Sequence, residues 1–241
     1  YLYGGYAEVN YTPLTNLVKI PDELDPTTVA ICACPGPTTI HSLALAMQAG
    51  VDLSGIKTAA IQGLGPVGCF ALIYLKAMGV QKIYAITSGN NPSRERLALA
   101  LGADEVFSLK QGTERVTKRL QQENGGLGVD LCFEASGAHQ AIVQGMDILR
   151  NRGVYIVPGQ YSNSGGIEIQ PQIITFKALH IIGSSQYSLK DVREYLKFLC
   201  EHKECQELIS KLGTCYSIND VNNAFKDAEA GINIKTLLTD K

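Results

Sequence analysis

The chain of 241 residues has no tryptophan, no internal repeat and no low-complexity tract, so neither a repeat period nor a biased composition guides the reading. No apolar run is long enough to span a bilayer, and no signal-peptide pattern is present; a cytoplasmic protein without a membrane partner is expected. Net charge is only −2, which gives no reason to expect nucleic acid as a partner. Charged residues make up 18% and apolar residues 45% of the chain, the balance of an ordinary globular protein with a substantial core. The length allows one large domain, or one domain and a fragment of another. Seven cysteines in a chain this long do not make a small disulfide scaffold, and an odd number leaves one unpaired. Reduced thiols are the simpler reading.

What is present is concentrated at residues 57–68. The short apolar run Lys57-Thr58-Ala59-Ala60-Ile61-Gln62 leads directly into Gly63-Leu64-Gly65-Pro66-Val67-Gly68, and an apolar helical pattern follows to Met78. This strand, glycine turn and helix order is the one that dinucleotide binding needs. Gly63 allows the tight turn, Gly65 lets the backbone approach a pyrophosphate, and Gly68 lets the helix pack on the strand. The first-turn N–H groups and the helix dipole then face two phosphates, with Gly63, Gly65, Pro66, Val67 and Gly68 as the candidate cofactor-binding residues.

From Lys57 onward the pattern alternates. Strands are expected at 58–62, 82–87, 105–108, 129–133, 153–157 and 179–183, with helices at 66–78, 93–101, 112–124 and 138–149. Such alternation implies parallel crossovers and a doubly wound α/β sheet, and six strands is the number a full Rossmann sheet requires. Before it, Tyr1–Val9 and Leu14–Ile20 read as strands, and Asp25–Gln48 as two helical pieces bent at Pro35-Gly36-Pro37. After Ser184 the pattern changes to a helix at 189–201, a strand-like Leu208–Tyr216, a helix at 219–229 and a strand at 234–238.

Several segments together resemble the medium-chain, zinc-type alcohol dehydrogenase family. They are Gly4-Gly5-Tyr6-Ala7-Glu8, the Gly63–Gly68 turn, Leu101-Gly102-Ala103-Asp104, Gly128-Val129-Asp130, Phe133-Glu134-Ala135-Ser136-Gly137, the run Lys177–Ser184, Ile218–Phe225 and Ile234-Lys235-Thr236. The resemblance implies a doubly wound parallel Rossmann sheet with the remnant of a GroES-like catalytic domain. Residues 1–36 would be that remnant, 37–186 the NAD(P)-binding Rossmann domain, and 187–241 a segment returning toward the catalytic domain. Most of the family's catalytic domain would precede this chain, which alone is expected to be inactive. The strands at 1–20 and 234–238 are then expected to lack a partner sheet, exposing edges and apolar surface.

The resemblance also implies site residues. Cys34, four residues before Thr38, stands where the family places a catalytic-zinc ligand; by spacing alone a buried structural thiol is the simpler account. One cysteine cannot supply the three protein ligands of a catalytic zinc, so zinc is expected only in a longer parent. Thr38 would lie near that site with its hydroxyl in the proton path, and a helix-start cap explains it equally well. Ala135 and Ser136 would end the fourth strand near the nicotinamide. Pro158 and Gly159 would meet its carboxamide. Lys235 would reach the pyrophosphate, or be an ordinary exposed lysine. Glu134 is expected to be structural. The remaining cysteines and the four histidines, which do not cluster in sequence, read as core or surface.

At the end of the second strand, Gly89 occupies the register of the acidic residue that bonds a ribose 2′-hydroxyl. Ser88, Asn90 and Asn91 offer hydrogen bonds and Arg94 a charge, so NADP is expected over NAD; a solvated turn and helix cap is the plainer account. The implied reaction is hydride transfer between an alcohol or polyol and the nicotinamide, in a homo-oligomer paired through the edge at Leu179–Tyr187. A zinc-free quinone or enoyl reductase relative, and a non-catalytic nucleotide-binding module, remain as alternatives.

Overall fold

The computed structural model describes residues 9–239. The strand read at Tyr1–Val9 and the Gly-Gly-Tyr-Ala segment therefore lie outside the described residues, apart from Val9. A six-stranded parallel sheet organises the chain: β1 (Thr58–Gln62), β2 (Lys82–Thr87), β3 (Glu105–Ser108), β4 (Val129–Glu134), β5 (Leu149–Val157) and β6 (His180–Gly183). The spatial order is β3-β2-β1-β4-β5-β6, every pair parallel. That is the order of a full dinucleotide-binding Rossmann sheet.

Side-chain alternation divides the core into two layers. Ala59 and Ile61 of β1, Ile83 and Ala85 of β2, and Leu131 and Phe133 of β4 face one side. There they meet α2 (Pro35–Gln48), α3 (Pro66–Ala77) and α8 (Leu189–Glu201). Ala60, Tyr84, Ile86 and Cys132 face the other side, against α5 (Thr113–Glu123) and α6 (Gln140–Ile148). Both faces of the sheet are covered, which explains why its strands read as nearly continuous apolar runs.

Local chemistry sets the helix boundaries. Proline at the first position starts α2 and α3, where a missing N–H costs nothing. In α4 (Pro92–Ala100) the Asn91 side chain accepts from Ser93 N and Arg94 N at 3.1 and 3.2 Å. Ser188 and Asp191 form a capping box at the start of α8, satisfying two otherwise orphaned donors.

Four expectations need correction. Leu14–Ile20 is no strand but a short 3-10 turn, Leu14–Asn16, followed by irregular chain. The helical bend falls at 32–34, between α1 (Pro26–Ile31) and α2, because Pro35 opens the second helix instead of breaking it. Residues 208–210 belong to α9 (Lys203–Ser210), and a strand, β7 (Gly213–Ser217), begins only afterwards. The terminal strand β8 (Lys235–Thr239) is not left without a partner: it pairs in parallel with β7, joined through α10 (Val221–Glu229). One helix, α7 (Gln172–Lys177), had no counterpart in the pattern. Its Lys177 Nζ donates to the carbonyls of Met146, Asp147 and Leu149 at 3.0, 2.7 and 2.8 Å.

Candidate cofactor site

The C-terminal ends of β1, β2, β4 and β5 are stitched together by the backbone. Gly63 N donates to Ile86 O at 2.9 Å, Ala135 N to Gln62 O at 2.8 Å, and Gly159 N to Glu134 O at 3.1 Å. These bonds gather the expected site residues Gly63–Gly68, Ala135, Ser136, Pro158 and Gly159 along one edge of the sheet.

Each glycine of the turn answers a different demand. Gly63 has φ +90°, and a Cβ there would lie 2.7 Å from Ser136 Cα. A Cβ on Gly68 would lie 2.0 Å from Gly63 O. Gly65 is extended, at φ −80° and ψ −174°, and a Cβ there would meet nothing within 4 Å. Steric need explains the first and third glycines; the middle one borders open space. The first intrahelical bond of α3 is made by Cys69 N to Gly65 O, so the N–H groups of Val67 and Gly68 have no acceptor within the helix. An open hollow lined by free amides at a helix N-terminus suits a pyrophosphate.

Glu134 underlies two of the neighbouring loops. Fully buried, it accepts from Ser136 N, Ser136 Oγ and Gly137 N at 2.7, 2.5 and 2.9 Å through Oε1. Gln160 Nε2 donates to its Oε2 at 3.2 Å. A Cβ on Gly159 would lie 2.3 Å from that oxygen. The carboxylate holds the loops after β4 and β5 in one arrangement; the structural role read for it is observed, and Gln160 is a partner that local sequence did not disclose.

Beyond β2, residues expected to meet a 2′-phosphate are engaged within the chain. Gly89 has φ +80°, and a Cβ there would lie 2.0 Å from Ser108 Oγ, so its identity has a steric reason. Asn91 is engaged as the α4 cap. The Arg94 guanidinium turns to the C-terminal segment, donating to Gly231 O at 3.1 Å and Asn233 O at 3.5 Å. Meanwhile a carboxylate returns to the end of β2: Thr87 Oγ1 donates to Glu95 Oε1 at 3.1 Å while accepting from Gly89 N at 2.8 Å. Sequence reading placed Glu95 in the helix, where it is, but not its side chain folding back over the strand end. Ser88 and Asn90 flank this turn.

Lys235 opens β8, with its N–H donating to Leu212 O at 3.0 Å. Its ammonium lies near the Cys32 thiol, which burial and neighbouring Cys69 push up to about 12 against the opposing pull of that charge.

Cys34 is the exposed N-cap residue of α2 and makes no side-chain cap bond. Its Sγ lies 4.0 Å from Thr38 Oγ1. Thr38 sits inside the first turns of α2, so it is not the helix-start cap. Tyr187 stands beside Cys34; partial burial and that thiol raise its phenol above the ordinary value. Cys32, two residues earlier, is fully buried. Three protein donors are needed for a catalytic zinc. Among the described residues, Cys34 belongs to no group of three His, Cys, Asp or Glu donors, so the zinc does not fit on these residues alone.

A parallel 3-2-1-4-5-6 sheet with a glycine turn after β1 that opens onto unobstructed space at Gly65 defines a Rossmann-type α/β fold. The chain belongs to the zinc-binding dehydrogenase family, whose model matches residues 66–201. It is 29% identical to a 5-exo-hydroxycamphor dehydrogenase of Pseudomonas putida over 238 residues, covering 98% of this chain and 64% of that one. It is also 29% identical to an alcohol dehydrogenase of Geobacillus stearothermophilus over 232 residues, 95% of this chain and 62% of that one. The crystal structure of an alcohol dehydrogenase from Thermotoga maritima superposes with a TM-score of 0.81 at 24% identity, over 92% of this chain and 59% of the other. The chain thus spans less than two thirds of the length of these relatives.

Proposed function

We propose that this chain is the cofactor-binding part of a zinc-type, NAD(P)-dependent alcohol or polyol dehydrogenase. The single observation that carries the proposal is the hollow at Gly65, open above the free amides of Val67 and Gly68. When bound, the nicotinamide cofactor supplies the hydride acceptor or donor at C4. The protein's part is to bind and orient. Gly63, Gly65, Pro66, Val67 and Gly68 receive the pyrophosphate, and Lys235 is the ammonium this reading assigns to it. Ser88, Gly89, Asn90 and Asn91 shape the adenosine end. Ala135, Ser136, Pro158 and Gly159 flank the nicotinamide on loops that Glu134 braces. Thr38, 4.0 Å from the Cys34 thiol, is the hydroxyl available to pass an alcohol proton onward. Cys34 is a candidate zinc ligand whose companions are not among the described residues.

NADP was expected from the sequence, but Arg94 is engaged with the C-terminal segment and Glu95 brings negative charge to the end of β2. A carboxylate there accepts from a ribose 2′-hydroxyl and repels a 2′-phosphate, so NAD is the cofactor this reading favours. The division into 1–36, 37–186 and 187–241 belongs to the same proposal; β1–β6 lie within 37–186 and β7–β8 within 187–241, while the 36/37 boundary falls inside α2.

A homodimer through β6 belongs to the same reading. That strand is the sheet edge, and Ile181, Phe176 and Tyr187 around it are exposed at 41%, 80% and 38%. Unpaired edges of this kind invite a partner strand. Among the described residues no helix is long and apolar enough to cross a membrane, and a cytoplasmic location remains a proposal.

Titration with NADH and NADPH, followed by nicotinamide fluorescence, tests the proposal. Saturable binding with NADH the tighter ligand is expected. Binding of neither would overturn the cofactor site; tighter NADPH would overturn the choice between the two while leaving the site.

A further inference from the structure

The corner between α8 and α9 brings three kinds of metal-ligand atom together. His202 is the single residue joining the two helices, at φ −120° and ψ 71°. Glu204 and Cys205 follow in the first turn of α9. His202 Nδ1 lies 3.2 Å from Glu204 Oε1, and Cys205 Sγ lies 4.0 Å from the same oxygen. All three ligand atoms fall within 4.8 Å of one another, and among the described residues no other such group of His, Cys, Asp or Glu exists.

Those separations can be compared with a real coordination shell. Donors bound at 2.0–2.3 Å to one tetrahedral zinc stand roughly 3.3–3.6 Å apart. The imidazole and carboxylate are already close to that spacing; the thiol, 4.0 Å from the carboxylate oxygen and within 4.8 Å of the imidazole, must approach both. Glu204, whose side chain is 70% exposed, has the freedom to close its own distance to the thiol. The other two donors are held. The His202 ring packs on Phe198, centroids 4.7 Å apart; Cys205 N donates to His202 O at 3.0 Å; and Gln206 Nε2 ties the corner to Leu199 O at 2.9 Å.

We propose that His202, Glu204 and Cys205 bind a zinc ion, with water in the fourth position, and that this ion fastens α8 to α9. An imidazole nitrogen, a thiolate sulfur and a carboxylate oxygen are the three donor types that zinc accepts, whereas calcium and magnesium take oxygen alone. On binding, the S–H proton passes to solvent, the Zn–S bond forms, and nothing is oxidised or reduced. The site is separate from Cys34. Tyr187, beside Cys34, precedes the first turn of α8, and His202 follows its last; thirteen helical residues put about 20 Å between them. The consequence is structural. α9 packs Cys205 and Ile209 into the same buried layer as α3, so a pinned corner holds the segment that leads to β7 and Lys235.

Cobalt titration of the chain reads the site without any activity, because a cysteine thiolate bound to Co²⁺ gives a near-ultraviolet charge-transfer band. One equivalent is expected to produce the band, and zinc is expected to displace it while raising the thermal midpoint. Cys205→Ser should abolish the band, and Cys34→Ser should leave it. Glu204→Gln, an exposed substitution that the fold will tolerate, should weaken binding by at least about tenfold. No saturable band, or a band that survives Cys205→Ser and is lost in Cys34→Ser, would overturn the proposal.

Discussion

The Cα of Gly68 faces the carbonyl of Gly63 so closely that a Cβ would lie 2.0 Å from the oxygen. That contact seats α3 directly on the end of β1 and aims its first amides at the hollow beside Gly65. Gly68→Ala must therefore push the helix away from the strand, an overpacking cost of about 1–3 kcal/mol. Gly65→Ala meets no neighbouring atom and should leave stability nearly unchanged while filling the hollow. Urea unfolding and NADH titration of both variants separate the roles. Unfolding should report Gly68→Ala alone; both should bind NADH at least tenfold more weakly. Unchanged NADH affinity in Gly65→Ala would mean the phosphates lie elsewhere.

Glu95 offers the sharpest test of cofactor choice. Its carboxylate is held at the end of β2 by Thr87 Oγ1 at 3.1 Å. A phosphate within about 5 Å of it would be opposed by roughly 3 kcal/mol per charge pair at an effective dielectric near 20. Glu95→Gln keeps an acceptor for Thr87 and removes the charge. The ratio of NADPH to NADH affinity should rise by about tenfold or more. An unchanged ratio would show that the 2′ position of the ribose is not at Glu95.

Much of the sheet could be read directly, because strands buried on both faces leave short apolar runs with little ambiguity: β1, β2 and β3 lie at the expected residues. The glycine turn was legible for a related reason. At Gly63 and Gly68 the backbone tolerates one residue type, and that requirement is visible in the letters themselves. Leu208 and Ile209 misled because an apolar pair fits strand or helix equally, and only the burial of Cys205 and Ile209, four residues apart, marks α9. Leu14–Ile20 misled because apolar residues with no partner strand among the described residues remain exposed, as Leu14 and Leu17 do at 86% and 54%. Side-chain direction was the least accessible quantity. Nothing near Arg94 announces that its guanidinium meets Gly231, 137 positions away, and nothing near His202 singles it out as a ligand until α8 and α9 meet at a corner.

The buried Glu134 carboxylate should be hard to replace even by its closest neutral analogue. Three donors, from Ser136 N, Ser136 Oγ and Gly137 N, converge on one oxygen. In Glu134→Gln that oxygen becomes a weaker neutral acceptor, and the new amide N–H₂ confronts Gln160 Nε2, itself a donor now 3.2 Å from Oε2. Hydrogen bonds to a charged group contribute about 1.5–3 kcal/mol, and a loss of that order is expected in urea unfolding. NADH should also bind more weakly, since the loops carrying Ser136 and Gly159 lose their common brace. A variant as stable as the parent would show that Glu134 is not holding them.

Acid should weaken this protein through Asp130. Burial acts to raise its carboxyl, but hydrogen bonds from Arg150, Lys57 N, Thr58 N and Thr58 Oγ1 outweigh it and hold the group below the ordinary carboxylate value. The Lys57 and Thr58 amides donate to Oδ2 at 2.8 Å each, and Arg150 Nε donates to Oδ1, so the carboxylate clips β4 to the start of β1 and to Arg150 of β5. A pKa depressed in the folded state contributes stability that is fully present above the unfolded value, near 3.9. That stability is lost as pH falls through the lower folded value. Urea unfolding of the parent and of Asp130→Asn should therefore differ at pH 7 and converge as the pH drops below about 4. Curves that stay parallel across that window would mean the Asp130 carboxyl titrates alike in the folded and unfolded chain.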